Sequence, residues 1–446
     1  MIFSIRVISC AALLCLAQAS QAQAPQLPAP ESTDPVTLGL MKGFPTPSDK
    51  QVRLATVLKY PNSRWAFHHM RELGPTANVA RGAGAPLILK NAPRDLDKLS
   101  FDNGQGASIS LADWQRSTYT DGLLVLHKGK VAYQHTYVGM DAGVPHALWS
   151  LSKSFTGLLA TLLIHEGTIN PNALVSSYLP ELADSAWADA TVQQTLDMTT
   201  GVQYREDFAD PNSGIFRYLM ASGLLPPPAA YTGPRNATDL IKTIKKEGEH
   251  DVGFQYKSVD TEVIAWLLQR VTGKSYATLV SERIWSRLGM QDDAYVWVDS
   301  IGTQLGSVGL NASLRDLGRF GDMMRLKGRF NGQQVVPEAV IKEIRAGASA
   351  EKFKAGGMPM RGGYSYHNHW WAPHDTDGSF EAKGVNGQHI HINPAAELVI
   401  VKLSSHPVAN TAFTHVLDRN AFAALANQLR APQKPARQSK PLENTP

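Results

Sequence analysis

The sequence predicts an α/β (α+β) fold, an antiparallel sheet flanked by helices and assembled from both ends of the chain around a mostly helical insertion. Three observations predict it. Early in the chain, GLLVLHKGKVAYQHTY (122–137) reads as two β-rich runs around the turn His127-Lys128-Gly129-Lys130. Late in the chain, QHIHINP (388–394) and ELVIVKLSS (397–405) flank Pro394-Ala-Ala as a second hairpin. Between them, residues 168–300 carry apolar positions at helical spacing, with long loops over 201–235. A cleft between the sheet part and the helical part is the natural place for a site.

The elements follow in order. Residues 1–24 hold Arg6, a short apolar run and small residues at Ala19, Ala22 and Ala24, which read as a signal peptide. Both cysteines, Cys10 and Cys15, fall there, so the mature chain is expected to have no disulfide, thiol nucleophile or cysteine metal site. Residues 25–100 read as an N-terminal lead packing on the core, with a short helix over 60–73. Residues 101–165 and 300–430 form the α/β domain and 166–299 the helical domain. The proline-rich stretch 431–446 reads as a disordered tail. From Ser150, the positions Leu151, Phe155, Leu158, Leu159, Leu162 and Leu163 recur as in a largely buried helix that ends at Glu166-Gly167. TEVIAWLLQRVTG (261–273) and RDLGRFGDMMRLKG (315–328) are amphipathic helices, and a last helix spans about 411–429. The net charge of +4 comes with no basic cluster interleaved with aromatics, so nucleic acid is not an expected partner. No run reaches the roughly 18–20 apolar residues of a membrane span, so stable membrane insertion is not expected either.

The chemistry lies in ALWSLSKSFTGLL (147–159). Serine is a poor nucleophile until a base takes its proton. On a helix, Lys153 shares a face with Ser150, and apolar surroundings lower a lysine's pKa. Spacing alone is weak, because Ser349-Ala-Glu-Lys352 repeats it in a polar stretch that reads as solvated surface. The Ser150 copy differs by opening a long apolar helix after Trp149. Tyr256-Lys257-Ser258, in GFQYKSVD (253–260), offers a base candidate beside positive charge just before a helix. Tyr60-Pro-Asn62 and Tyr366-His-Asn368 have similar shapes and read as loop aromatics. In EAKGVNGQHIHI (381–392), Gly384 and Gly387 permit close approach of a ligand to the strand, and the Val385 N–H could join that of Ser150 as an oxyanion hole. His389 and His391 alternate on a strand, and His367, His369 and His374 lie near Trp370-Trp371. No carboxylate stands at ligand spacing, so they read as cleft or core histidines and no metal is expected.

Together, Ser-x-x-Lys, a Tyr motif and a Gly-bearing strand in this order resemble the serine β-lactamase and penicillin-recognising superfamily. SLSKS, LDMTTGVQYREDFADP, FQYKSVDTEVIAW, SLRDLGRFG, GVNGQ and VIVKLSS are most similar to 6-aminohexanoate-dimer (nylon-oligomer) hydrolases and related class C-type esterases, over roughly residues 60–425. The resemblance implies a β-lactamase/transpeptidase-like fold and a serine hydrolase acting through an acyl-enzyme on carboxylic esters or small linear amides. It implies Ser150 as nucleophile, Lys153 as proton acceptor or relay, Tyr256 as general base and then acid, and Ser258 as support. The Ser150 and Val385 N–H groups would form the oxyanion hole, while Phe208, Gly384, Asn386 and Trp371 would line the substrate. No cofactor is implied, and a homodimer stays open.

Three departures from that pattern matter. Phe208 stands where the dimer hydrolases place a tyrosine hydroxyl able to meet an amide nitrogen. An apolar residue near Leu219 replaces their acidic substrate position. Ala382 heads the strand motif where penicillin-binding relatives have Lys or His, with Lys383 next and pointing to the other face. The reading is therefore an exported, periplasmic or secreted ester or amide hydrolase. A β-lactamase or D-alanyl-D-alanine peptidase is one alternative, and a non-catalytic binding module of the same fold is another.

Overall fold

The computed structural model describes residues 27–137, 139–356 and 362–430. The signal peptide and tail expected at 1–24 and 431–446 lie outside them. Seven antiparallel strands form the main sheet: β1 Thr120–His127, β2 Lys130–Thr136, β3 Ser365–His367, β4 Trp370–Ala372, β5 Phe380–Gly384, β6 Gln388–Asn393 and β7 Leu398–Ser404. Their order is β3-β4-β5-β6-β7-β1-β2, so the late strands close onto the early hairpin through β7 and β1. The predicted assembly from both chain ends is what forms.

Side chains alternate across a strand, and this sheet is covered on both faces. Leu124, Leu126, Ile390, Ile392, Val399 and Val401 enter the larger core. Leu123, Val125, Leu398 and Ile400 enter a second core with Trp114, Phe422 and Leu425. On the larger-core side lies helix α1, Ser152–His165, in which Ser152 through Leu163 are all buried. An all-round buried helix has no solvent stripe to lose, which makes it a rigid platform. Helix α2, Ser258–Thr272, ends at Gly273 in the left-handed region (φ 66°). Helix α3, Leu314–Arg325, stacks Phe320 on Phe155 of α1 at 4.1 Å. Helix α4, His415–Arg430, covers the other face. Among the described residues no helix is long and apolar enough to cross a membrane.

The block 166–299, read from the sequence as mostly helical, also contributes one strand. Ala294–Trp297 is a strand of a second antiparallel sheet, ordered Thr76–Val79, Ala294–Trp297, Leu310–Ala312, His146–Ala147. Four short segments from distant parts of the chain build it, and no one of them is long enough to show a period of two. It ties the N-terminal lead to the stretch just before Ser150, where the Leu148 N–H donates to the Leu310 carbonyl at 3.0 Å.

Candidate active site

Ser150 precedes α1 rather than opening it. Trp149–Leu151 is a 3-10 turn and α1 starts at Ser152. Trp149 holds φ at 48°, a conformation bulky residues avoid, and this sharp corner turns the chain from the small sheet into the helix. The spacing of three survives because a 3-10 turn repeats every three residues. Lys153 Nζ donates to Ser150 Oγ at 2.9 Å, to Ser258 Oγ at 2.9 Å and to the Ser307 carbonyl at 3.3 Å. Lys153 is 1% exposed. Burial pulls its amine down to about 8, against the carboxylates of Glu206 and Glu262, which favour its charge.

Tyr256 reaches the same place from the loop before α2. Lys153 Nζ lies 5.0 Å from its ring centre. The ring stacks on Trp371 (5.6 Å, 22°) and meets Tyr366 edge-on at 5.9 Å. Behind Lys153, Glu262 is buried and accepts from the Ser307 N–H and Oγ, the Gly306 N–H and the Tyr218 hydroxyl. That carboxylate shapes the loop carrying the Ser307 carbonyl. Sequence reasoning missed it, and also missed Glu206, whose Oε1 accepts the Ser258 N–H at 2.5 Å. Both are separated in sequence from the groups they hold. Glu206 stood inside a quoted motif, which was the available signal.

Two cavities, of about 360 and 570 Å³, meet at Ser150, Glu206, Phe208, Val385, Ala409 and Asn410. The smaller is walled by Tyr256, Trp371, Lys383, Gln255 and Thr411. The larger is mainly apolar, with Leu58, Phe67, Ile215, Phe216, Leu219 and Val308. Phe208 packs edge-on against Phe216 at 6.4 Å. Asn386 (φ 59°) donates its N–H to the Ala409 carbonyl at 2.9 Å and Nδ2 to the His406 carbonyl at 2.8 Å, pinning the 406–410 loop over both lobes. At Gly384 a Cβ would lie 2.5 Å from the Leu148 carbonyl oxygen and 3.1 Å from the Leu151 nitrogen. The strand end therefore abuts the Ser150 turn through a contact only glycine permits. Every residue singled out in the sequence for catalysis or substrate lining is gathered here.

The other sequence readings resolve as follows. Ser349 caps the short helix Ala350–Ala355, and Lys352 pairs with Asp251 at 2.6 Å on the surface. Ala382 pairs with Ile390 inside the main core, while Lys383 lies opposite His389 on the other face, its Nζ 2.5 Å from Glu381. The histidines form no common cluster. His367 bonds Asp197 and lies near Glu343; burial opposes its charge, but those carboxylates prevail and lift it to about 9. His369 is buried beside Lys153 and pulled down to about 3, first by burial and then by that lysine. The reading that no carboxylate accompanies His389 and His391 is corrected. Strand pairing sets Glu381 opposite His391, 2.8 Å from its Nδ1. Glu381 already holds Lys383, so its charge is neutralised. Among the described residues, His68, Asp121 and His146 are the one trio at metal-ligand distances, and the buried Arg64 lies 3.5 Å from that aspartate. The guanidinium supplies the countercharge.

A serine turned out of a sharp corner onto a buried lysine, between a mostly helical lobe and a Gly-edged strand, defines a serine hydrolase of β-lactamase fold, an enzyme of ester or amide bonds. Residues 105–425 match the family described as Beta-lactamase, and the chain belongs to that family. It is 32% identical over 377 residues to 6-aminohexanoate-dimer hydrolase of Paenarthrobacter ureafaciens, covering 83% of this chain and 92% of that one. A solved structure described as a candidate 6-aminohexanoate-dimer hydrolase of Bacillus anthracis superposes with TM-score 0.80 at 32% identity, over 87% of this chain and 100% of that chain. EstCE1, a hydrolase with promiscuous acyltransferase activity, shares the fold at TM-score 0.53 and 14% identity, over 69% of this chain and 97% of that chain.

Proposed function

We propose that this hydrolase cleaves carboxylic esters in preference to amides, through an acyl-enzyme on Ser150, with an aliphatic arm of the substrate in the larger lobe. The observation that carries it is Phe208, a side chain with no hydrogen-bonding atom at the junction of the lobes, beside a wall that includes Leu219. An amide nitrogen must be turned and protonated before it leaves, and a neighbouring hydroxyl helps it do so; an ester oxygen leaves without that partner. In this reading Ser150 Oγ attacks the carbonyl and its proton passes into the Lys153–Tyr256 pair. The carbonyl oxygen turns toward the N–H groups of Ser150 and Val385. Tyr256 protonates the departing alcohol, and Ser258 keeps Lys153 aligned. Water, deprotonated by the same pair, then releases the acid. Lys153 bridging Ser150 and Ser258 supports these roles, as does the Tyr256–Trp371 stack.

A linear amide is the second reading, favoured by the 32% identity to the dimer hydrolase. A β-lactam or D-alanyl peptide is a third reading, favoured by Lys383, whose ammonium walls the smaller cavity although Ala382 heads the strand motif. Residues 1–24 support export to the periplasm or beyond. Initial rates on a nitrophenyl butyrate, the linear 6-aminohexanoate dimer and a chromogenic cephalosporin, with wild type and Phe208→Tyr, test the choice. The ester should be the fastest substrate. Phe208→Tyr should raise dimer turnover about tenfold, the worth of one hydrogen bond made in the transition state. A wild type faster on the dimer than on the ester overturns the ester reading.

Gly384→Ala is a second check. The added methyl meets backbone, so the strand must retreat from the Ser150 turn and draw the Val385 N–H with it. The expected loss in kcat is on the order of 10²-fold, with the melting temperature showing whether the fold is kept.

A further inference from the structure

Glu206 is an acidic side chain of the cleft that the roles above leave unused. It lines both lobes where they meet Ser150. Its Oε1 accepts the amide N–H of Ser258, the first residue of α2, and the preceding Lys257 makes no side-chain cap there. The carboxylate thus stands at the positive end of a 15-residue helix. Ser258 in turn presents Oγ to Lys153 Nζ at 2.9 Å. The chain of contacts runs carboxylate, amide, hydroxyl, amine, nucleophile. Two carboxylates act on Lys153, and Glu262 has its oxygens taken by Ser307, Gly306 and Tyr218. Glu206 instead borders the cavity, beside the buried Tyr204, whose phenol is held well above its ordinary value by burial and then by the Glu206 charge.

We propose that Glu206 is a positioning residue of the acylation step: it fixes Ser258 on Lys153 and supplies the negative charge against which Lys153 takes up the Ser150 proton. The proposal rests on the reading of Ser150 as nucleophile and Lys153 as proton acceptor. The step is balanced. The Ser150 O–H bond breaks as the carbon–oxygen bond to substrate forms and Lys153 becomes an ammonium within the field of Glu206; the ester carbon–oxygen bond then breaks, and the proton passes through Tyr256 to the departing alkoxide, which leaves as the alcohol. The groups facing Lys153 are Ser150, Ser258, the Ser307 carbonyl, the Tyr256 ring, His369 held neutral at ordinary pH, Glu206 and Glu262. Removing the Glu206 charge leaves burial less opposed, so Lys153 loses its proton at lower pH and is a weaker base.

Glu206→Gln keeps an oxygen for the Ser258 N–H and deletes the charge. On nitrophenyl butyrate, kcat should fall about 10- to 100-fold with KM within about threefold, and the acidic limb of kcat/KM should move to lower pH. Glu206→Asp should restore the limb toward its wild-type position. Wild-type kcat and an unmoved limb in the Gln variant would reduce Glu206 to a helix cap and overturn the proposal. So would a rate loss that merely follows loss of folded protein in thermal melts. Were the Gln variant not to fold, the Asp variant decides: reduced kcat on a wild-type limb supports the proposal, and unchanged kcat overturns it. Ser150→Ala run alongside reads the underlying assignment separately, since retained turnover there removes the nucleophile whatever Glu206 does.

Discussion

Replacing Ser150 by alanine is expected to lower ester kcat by about four to six orders of magnitude, the scale seen when a serine hydrolase loses its nucleophile. The change removes one hydroxyl that accepts from Lys153 and adds no volume, so the fold should persist and melt within a few degrees of wild type. Initial rates on nitrophenyl butyrate measure the loss. Intact-mass spectra after a slow ester should show the acyl adduct on wild type and none on the variant. Equal rates for the two proteins would move the nucleophile elsewhere. An adduct that forms on wild type and never turns over would instead favour a binding module, in which the lobes hold a ligand and hydrolysis is absent.

Lys153→Met is expected to cost about 10³–10⁴ in kcat while keeping the fold, because a general base of this kind contributes on that scale. Its pH signature follows from the same burial. The amine sits at about 8 in the folded protein against an ordinary value of 10.5. Wild-type kcat/KM should rise as pH passes through that region, and the Met variant should lack the rise. Stability carries the mirror image. Below pH 8 both folded and unfolded chains hold the proton, and the folded state bears the full penalty of a buried ammonium, a few kcal/mol at most. Between 8 and 10.5 the folded state releases the proton first, so wild type gains stability as pH rises. The melting-temperature advantage of Lys153→Met over wild type should therefore shrink between pH 7 and pH 10. A constant gap would mean that Lys153 is not held at a lowered value. Methionine suits the test because it fills the stem's volume without a charge to bury.

Much of the site was legible before the fold. Ser150 and Lys153 lie three residues apart, and local spacing survives whether the turn is α or 3-10. Tyr256 and Ser258 announced themselves by standing at the start of an amphipathic helix, Tyr256 just before it and Ser258 as its first residue. Alternation along the strand correctly set Ala382 and Lys383 on opposite faces, but which face meets the cleft was read the wrong way: Ala382 enters the core and Lys383 walls the smaller cavity. Glu381 beside His391 did not, because that pairing depends on a hairpin register. Glu206 and Glu262 were hidden for a related reason: each matters through a backbone N–H of a distant residue, and backbone donors leave no mark in a sequence.

By itself, the sequence determined the two β-hairpins, the buried helix after Ser150, and the serine–lysine–tyrosine set, since each depends on residues close together in the chain or on a period carried by one segment. Only the tertiary structure decided the small sheet that steadies the Ser150 corner, the abutment of Gly384 on the Leu148 carbonyl, and the division of the cleft into a mixed lobe and a mainly apolar one. It also decided that Phe208, Glu206 and Val385 meet where those lobes join. These depend on which surfaces come together when segments more than a hundred residues apart pack, and packing is chosen by the shape and burial of the whole chain rather than by any one stretch of it.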